Sequence, residues 1–248
     1  MSASKIYDSY VIDKIRRTEE VLSLRFKKPS GFTYEAGQFM YITYKTSQEE
    51  KRKHLTISSS PTEPFLEITK RLTGSDFSNG ILESENGDWI RLEGPYGDFV
   101  ADPNIKKIAM LCGGIGITPL RSMIKFYADG GLNNDIILIY SNEKSDSIAF
   151  KDELDEIVEI DEFNFSVHYT ITQPDETWTG EKGRINDAML IKLIPDYKDR
   201  TFFTSGPPGM VDAMRKLLNQ IGVEKEYINF EYFPGYMLHP EINLKHTE

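Results

Sequence analysis

The repeat length of the apolar pattern changes near residue 103, and this change limits the fold more than any other feature of the chain. Before it, short apolar runs alternate with polar residues and are separated by Gly, Pro and Ser, which is typical of antiparallel strands. These runs are 21–28, 37–44, 54–61, 65–72 and 89–97, with one short helix expected at 75–82. The first part of the sequence therefore predicts an antiparallel β-barrel or sandwich.

After residue 103, stretches with helical periodicity follow the apolar runs. The expected strands are 107–112, 135–140, 165–171, 200–205 and 226–233, and the expected helices are 119–129, 149–160, 186–194 and 208–221. Alternation of strand and helix requires crossover connections, so this part predicts a doubly wound parallel sheet. We expect a two-domain β plus α/β chain, divided into residues 1–102 and 103–248 by a linker at 101–104.

Composition excludes several classes of protein. A net charge of −10 disfavours nucleic acid as a partner, because phosphates would be repelled. No apolar stretch is long enough for a membrane span and the first ten residues lack the apolar core of a signal peptide, so we expect a cytoplasmic protein. The single cysteine, Cys112, excludes an internal disulfide and a four-thiolate iron–sulfur cluster, and is expected to be a core residue. The four histidines lack metal-ligand spacing, so no metal is expected.

Three glycines lie where the first strand of the second part meets its helix, in "CGGIGITP" at 112–119. Ligands of open parallel sheets bind beyond the carboxyl ends of the strands. Thr118 is predicted to cap the helix and Pro119 to occupy its first position. Gly113, Gly114 and Gly116 would let a phosphate approach the free amides. Tight strand–helix packing explains the same glycines, so this turn alone leaves both interpretations open.

A second turn of this kind follows the fourth predicted strand, where "SGPPGM" at 205–210 opens another helix. Both turns are expected to face the same crevice. With this second turn the sequence resembles the ferredoxin-NADP reductase superfamily, whose members pair a flavin-binding barrel with a nicotinamide-nucleotide domain. The segments that carry the resemblance occur in the family's order, at 53–61, 74–82, 94–97, 112–119 and 205–210.

The resemblance implies FAD contacts by position. The family's flavin segment has an arginine, an aromatic residue and a hydroxyl, which fall here on Lys53, Leu55 and Thr56, so this chain departs from the pattern twice. The Thr56 hydroxyl would bond near flavin N5, and a helix start at Phe77 and Ser78 would receive a pyrophosphate, which favours FAD over FMN. The residues implied for FAD are Lys53, His54, Leu55, Thr56, Ile68, Thr69, Lys70, Phe77, Ser78, Thr118, Phe233 and Tyr236. Taken alone, 53–61 is better explained as a strand that runs into a Ser-Pro turn, and the ordered set of segments is what favours the flavin.

The resemblance also implies a nicotinamide-nucleotide site. The catalytic residues would be Thr56, Thr118 and Ser205, the last at a position where many relatives have cysteine. The residues implied for the nucleotide are Gly113, Gly114, Ile115, Gly116, Ser141, Glu143, Gly206, Pro207 and Met210. NADPH-specific relatives place a serine and an arginine after the second strand; here Glu143 would repel a 2′-phosphate, which predicts a preference for NADH over NADPH. The ammonium of Lys144 could instead bind the 2′-phosphate and favour NADPH. Both charged side chains are equally consistent with a solvent-exposed loop that reads neither nucleotide.

The activity implied is hydride transfer between NAD(P)H and FAD, followed by electron transfer to a separate redox carrier protein or oxygenase component, such as a ferredoxin or flavodoxin. A basic patch near the flavin edge would dock an acidic carrier, formed by Lys45, Lys51, Arg52, Lys53, Lys70 and Arg71. Three alternatives remain. They are a diaphorase that reduces free flavins, quinones or ferric chelates, a catalytically silent flavin-binding subunit of a larger complex, and an oligonucleotide- or sugar-binding barrel joined to an unrelated α/β domain.

Overall fold

The structure, a computed structural model, describes residues 5–45 and 50–233. Its first part is an antiparallel six-stranded sheet with strand order β4-β3-β6-β1-β2-β5. The strands are β1 Lys5–Arg16, β2 Val21–Lys27, β3 Phe39–Lys45, β4 Glu50–Thr56, β5 Phe65–Arg71 and β6 Trp89–Tyr96, and helix α1 spans Asp76–Glu83. A bridge between Ile57, directly after β4, and Ile68 within β5 joins the two edge strands, so the sheet curls into a barrel.

Strand β1 was not predicted, because its apolar residues lie on both faces. Ser9 and Val11 point into the barrel core, whereas Ile6, Tyr10 and Ile12 are exposed. This arrangement hides the alternation from which a half-buried strand is recognised. The strand predicted at 54–61 also extends too far toward the C-terminus. In the structure β4 ends at Thr56 instead of continuing to residue 61.

The second part is a parallel six-stranded sheet with strand order β10-β9-β8-β7-β11-β12. The strands are β7 Lys107–Gly113, β8 Asp135–Asn142, β9 Phe165–Ile171, β10 Glu181–Lys182, β11 Thr201–Gly206 and β12 Ile228–Tyr232, and the helices are α2 Ile117–Asp129, α3 Lys151–Val158, α4 Asp187–Leu193 and α5 Pro208–Gln220. The doubly wound sheet is therefore confirmed. Among the strands described up to residue 233, the prediction lacks the two-residue strand β10, which carries no apolar run.

Both faces of the parallel sheet are covered, as its continuous apolar strands require. In β7, Ile108, Met110 and Cys112 belong to one core cluster, whereas Ala109 and Leu111 belong to the cluster on the opposite face. Burial raises the pKa of the Cys112 thiol well above its usual range, so this cysteine is a small core residue, as expected. The two sheets are separated by residues 97–106, and the domain boundary predicted at residue 103, which falls in this stretch, stays a prediction.

The predicted helix cap at Thr118 is wrong. Helix α2 begins at Ile117, and Gly116, in a short 3₁₀ turn, occupies the cap position without a side-chain hydrogen bond. The Thr118 hydroxyl instead donates to the Ile115 carbonyl at 3.1 Å. The helix begins two residues earlier than the prediction because the 3₁₀ turn leads directly into it. No helix in residues 5–45 and 50–233 is both long and apolar enough to cross a membrane.

Candidate functional site

A cleft of about 540 Å³ lies where the edge of the barrel meets the carboxyl ends of the parallel strands. Its volume is within the range of small-molecule and cofactor sites. The barrel contributes Glu20, Phe39, Lys53, His54, Leu55, Thr56, Thr69, Lys70, Arg71, Leu72 and Thr73, and the second domain contributes Ile115, Thr118, Glu231, Tyr232 and Phe233. Thr56 and Thr118, predicted from separate motifs to meet at a cofactor, therefore line one cleft.

The barrel side of the cleft is cationic. Lys53, Lys70 and Arg71 line it, and Lys70 is only 8% exposed. The Lys70 ammonium donates to the Arg71 carbonyl at 3.0 Å. Burial, together with the charge of Lys53, lowers the pKa of Lys70 to about 8. Within the described residues neither Lys53 nor Lys70 forms an ion pair with a carboxylate.

These lysines fit a phosphate-bearing cofactor. A buried ammonium without a counter-ion is costly, and an anion in the cleft would offset that cost. An apolar surface for a flat ring system lies in the same cleft, formed by Leu55, Phe39 and Ile115. The donor set and the apolar wall together fit FAD.

Phe39 is a site residue that the sequence interpretation missed. Its ring stacks on Tyr96, with 5.7 Å between ring centroids, and meets the His54 ring edge-on at 5.7 Å. It lay inside a predicted strand, where an aromatic residue usually fills the core. Burial and the neighbouring charges of Lys53 and Arg52 lower the pKa of His54, so its imidazole contributes an uncharged surface to the cleft near neutral pH.

Glu231 is the second residue that was missed, and it lies on the last strand, β12, opposite Ser205. Burial raises the pKa of its carboxyl group to about 7. Its Oε2 atom is buried and has no hydrogen-bond partner among the described residues. The sequence feature that could have identified Glu231 is a carboxylate between two aromatic residues of one strand. The cleft, which Thr118 also lines, therefore holds a titratable group.

The end of β12 supplies an aromatic wall. Phe233 lines the cleft, and its amide donates to the Gly206 carbonyl at 2.9 Å, which ties it to the second glycine turn. Tyr232 also lines the cleft, and its hydroxyl donates to Asp212 at 2.6 Å. Tyr236, the other predicted aromatic contact, lies outside the described residues.

The first glycine turn is closely packed against its neighbours. A Cβ atom on Gly116 would lie 2.3 Å from the Ser205 carbonyl oxygen, and one on Gly113 would lie 2.4 Å from the Met210 sulfur. Gly114 has φ +53°, in the left-handed region that glycine adopts without strain. Packing alone thus explains Gly113 and Gly116, whereas the reversal of the chain explains Gly114.

The second glycine turn adjoins the first because β11 pairs with β7. Ser205 is fully buried, and its hydroxyl donates to the Gly116 carbonyl at 2.6 Å. Gly206 has φ +145°, and Pro207 is the cap residue of α5. The two turns adjoin each other, but the Ser205 hydroxyl is directed at the protein backbone, and a crevice shared by the two turns stays a prediction.

Three of the predicted FAD contacts lie behind the cleft wall. Ile68 is fully buried in the barrel core, and Phe77 packs on Tyr44 with 5.1 Å between ring centroids. Ser78 is 1% exposed, and its amide donates to the hydroxyl of Ser75, the cap residue of α1. Their roles toward a cofactor stay predictions.

The predicted ribose-reading residues follow β8. Ser141 lies opposite Gly113 in the β7–β8 pairing, which places it beside the first glycine turn. Glu143 is exposed, and its carbonyl accepts from the Gln173 amide at 2.9 Å. The carboxylate is thus accessible at the edge of the nucleotide domain.

Most of the predicted basic patch is neutralised. Arg52 pairs with Glu93 at 2.7 Å, and Arg71 pairs with Glu20 at 2.6 Å. Lys51 pairs with Asp76, and the side chain of Lys45 lies outside the described residues. The cationic character therefore concentrates inside the cleft, at Lys53 and Lys70.

A curled antiparallel barrel, a doubly wound sheet and a cationic cleft between them define the class of two-domain flavin- and nucleotide-binding oxidoreductases. The sequence matches the family model of the oxidoreductase FAD-binding domain over residues 9–100, and that of the oxidoreductase NAD-binding domain over residues 110–216. The chain belongs to the ferredoxin-NADP reductase-like oxidoreductase family, which confirms the resemblance found in the sequence.

Named relatives agree with this assignment. The chain is 33% identical over 228 residues to the glycine betaine monooxygenase reductase subunit of Chromohalobacter salexigens, covering 88% of this chain and 62% of that protein. It is 32% identical over 188 residues to NADH-cytochrome b5 reductase 1 of Ajellomyces capsulatus, covering 72% of this chain and 60% of the relative. The solved cytochrome b5 reductase domain of Ulva prolifera nitrate reductase has the same fold, with a TM-score of 0.80 at 23% identity over 92% of this chain and 97% of that domain.

Proposed function

We propose that the chain is an FAD-dependent NAD(P)H oxidoreductase that transfers hydride from the nicotinamide to FAD and passes the electrons to a separate redox carrier protein or oxygenase component. The observation that carries this proposal is the shared cleft, in which Thr56 from the flavin segment and Thr118 from the nucleotide domain line one space. Hydride transfer depends on holding two ring systems in contact, and a cleft built from both domains provides such a place.

The barrel side would hold FAD, the cofactor that accepts two electrons together and releases them singly. Lys53 and Lys70 would bind the pyrophosphate, and Leu55 and Phe39 would pack on the ring. The Thr56 hydroxyl, at the end of β4, would donate to the ring near N5. His54 lies within the same wall and would present an uncharged side chain to the flavin ring.

The second domain would hold the nicotinamide nucleotide across its two glycine turns. Pro207 and Met210 at the start of α5 and Gly114 in the first turn would border the phosphates, and Thr118 would contact the nicotinamide. Ser205 would act on that ring only through the Gly116 backbone, because its hydroxyl is already bonded there. Glu143 supports a preference for NADH, since an exposed carboxylate repels a 2′-phosphate and accepts bonds from ribose hydroxyls.

The proposed partner follows from the relatives. One of them is named as the reductase subunit of a monooxygenase, and this chain spans 62% of that protein. A partner that takes electrons one at a time from the open side of the cleft would fit this chain. A cytoplasmic location stays a prediction.

The visible spectrum of the purified protein tests the proposal. We expect a yellow protein whose released flavin is FAD, and which reduces a one-electron acceptor protein at the expense of NADH or NADPH. A protein that binds FAD but does not turn over would favour the silent binding subunit instead. Turnover with free flavins, quinones or ferric chelates but with no carrier protein would favour the diaphorase. A protein that takes up no flavin would contradict the proposal.

A further inference from the structure

Arg121 joins the two domains at a point next to the proposed reaction site. It lies three residues after Thr118 on α2, and only 2% of it is exposed. One of its amino groups, Nη1, donates to the Ser58 carbonyl at 3.0 Å and to Glu63, both in the barrel domain. Nη2 donates to Glu63 Oε1 at 3.0 Å, so the guanidinium binds Glu63 with both amino groups.

The same guanidinium is held from its own domain by Glu153 of α3. Nε donates to Glu153 Oε1 at 2.7 Å. Burial alone would lower the pKa of Arg121, but the hydrogen bonds and charges of Glu63 and Glu153 outweigh it and raise that pKa above its ordinary value. Arg17 of the barrel lies 3.8 Å from Glu153 and adds a second cross-domain ion pair. Arg121 is therefore a permanently charged bridge between two carboxylates, one on each domain.

Ser122 adds a further hydrogen bond between the domains. Its hydroxyl donates to the Ser59 carbonyl at 2.6 Å, and both residues are fully buried. The Tyr34 hydroxyl also donates to that carbonyl, at 3.0 Å. Removal of the Ser122 hydroxyl would therefore leave the Ser59 carbonyl with one partner.

These contacts connect the two halves of the site over short distances along the chain. Ser58 and Ser59 directly follow Ile57, and Thr56 lies one residue before it at the end of β4. Arg121 and Ser122 lie one helical turn beyond Thr118. Ser58 is in turn bonded through its hydroxyl to Thr69, another residue of the cleft, at 2.9 Å.

We propose that Arg121 and Ser122 are positioning residues that hold the nucleotide turn of the second domain in register with the flavin segment of the barrel. This inference rests on the proposed function, since it concerns the alignment of the two cofactors in that site. Neither side chain lines the cleft, so they act through the backbone of Ser58 and Ser59.

A loss of alignment has a recognisable kinetic signature. Each cofactor would keep its own contacts within one domain, so the affinities for FAD and for the nucleotide should stay near those of the wild type. The limiting rate of hydride transfer should fall on the order of tenfold to a hundredfold, because a shift of about 1 Å between reacting groups costs that much.

Three variants test the inference in the FAD-loaded protein. Arg121→Lys keeps the charge between Glu63 and Glu153 but cannot bind both carboxylates and the Ser58 carbonyl with a planar fork. Ser122→Ala removes one cross-domain bond in a fully packed place, and its effect should be smaller and in the same direction. Lys192→Met is the control, because Lys192 lies on α4 and pairs with Glu181 inside the second domain.

Two measurements decide the outcome. Anaerobic rapid mixing with saturating NADH or NADPH gives the limiting rate of flavin reduction, and hydrogen exchange of peptides covering 57–63 and 117–123 reports the interface without any turnover. We expect a slower rate and faster exchange at both peptides in Arg121→Lys, with Lys192→Met like the wild type. Exchange equal to the wild type, or a rate that falls only in proportion to lost FAD, would overturn the inference. A wild-type protein that reduces no flavin would contradict the proposed function, while the exchange result would still decide the role of Arg121.

Discussion

The Ser205 hydroxyl donates to the Gly116 carbonyl at 2.6 Å, and this bond joins the two glycine turns of the nucleotide domain. The contact is possible only because Gly116 has no side chain. A Cβ atom there would lie 2.3 Å from the Ser205 carbonyl oxygen and 2.6 Å from the Gly206 Cα. The two turns thus pack backbone against backbone.

Gly116→Ala should therefore destabilise the protein. Both clashing atoms belong to backbone, which cannot rotate away, so we expect a loss of about 1–3 kcal/mol in the free energy of unfolding, as for overpacked cores. Denaturant unfolding followed by circular dichroism measures it. Gly209→Ala is the control, because a Cβ there meets no atom within 4 Å and the residue lies in α5. Equal stability of the two variants would show that the turns do not pack as described.

The sequence predicted the second domain more completely than the first. Strands such as β9 lie between clear helices, and the prediction for 165–171 agrees with the structure at both ends. Strand β1 could not be found in the same way, since Ile6 and Ile12 on its outer face are exposed. Local periodicity indicates a half-buried strand only where the apolar residues lie on one face.

The residues of the candidate site also differ in whether the sequence could predict them. Lys53, Thr56 and Thr118 could be placed by motif order, because they belong to local segments with a recognisable pattern. Phe39 and Glu231 could not, because they reach the cleft through the pairing of distant strands. The Thr118 cap failed because a 3₁₀ turn extended the helix toward its N-terminus, which local propensity does not reveal.

Lys70→Met should weaken FAD binding. The Lys70 ammonium is largely buried and has no carboxylate partner among the described residues, so loss of its charge-assisted bond to a phosphate should raise the Kd by on the order of tenfold or more. Flavin fluorescence during titration of the FAD-free protein measures it. Lys107→Met serves as the control, because Lys107 begins β7, at the end of the parallel strands away from the cleft, and pairs with Asp196. An unchanged Kd in Lys70→Met would place the pyrophosphate elsewhere.

Lys70 also predicts a pH dependence of stability in the FAD-free protein. Its pKa of about 8 lies below the ordinary value of 10.5, so between these values the unfolded chain binds more protons than the folded one. Stability contributed by this group therefore rises with pH across that window. The rise should be absent from Lys70→Met, and a wild-type curve that matches the variant would contradict the burial of the ammonium.

Glu231→Gln should change how the free energy of unfolding depends on pH between 4.5 and about 7. Burial raises the pKa of the Glu231 carboxyl group from 4.5 to about 7, so the folded state binds its proton more tightly than the unfolded chain. The stability contributed by this group is present below pH 4.5 and is lost as the pH rises to about 7. Glutamine keeps the shape without the charge, so the variant should be more stable than the wild type above pH 7. Thermal unfolding at several pH values tests this, and parallel curves for the two proteins would refute it.

The choice of nucleotide should depend on Glu143. Glu143→Arg replaces an exposed carboxylate with a planar cation that binds a 2′-phosphate, so kcat/KM for NADPH should rise relative to NADH by on the order of tenfold. Steady-state assays with both nucleotides measure the ratio. A wild-type enzyme that already prefers NADPH would show that Glu143 does not read the ribose.

Anaerobic stopped-flow mixing of the FAD-loaded protein with NADH tests the central claim most directly. The account predicts that the visible absorbance of the oxidised flavin disappears in a single phase, at a rate that saturates with nucleotide concentration and is lower in Thr56→Val, which removes the hydroxyl but keeps the shape. Persistence of the oxidised flavin spectrum with both NADH and NADPH, in a protein that binds FAD, would contradict it.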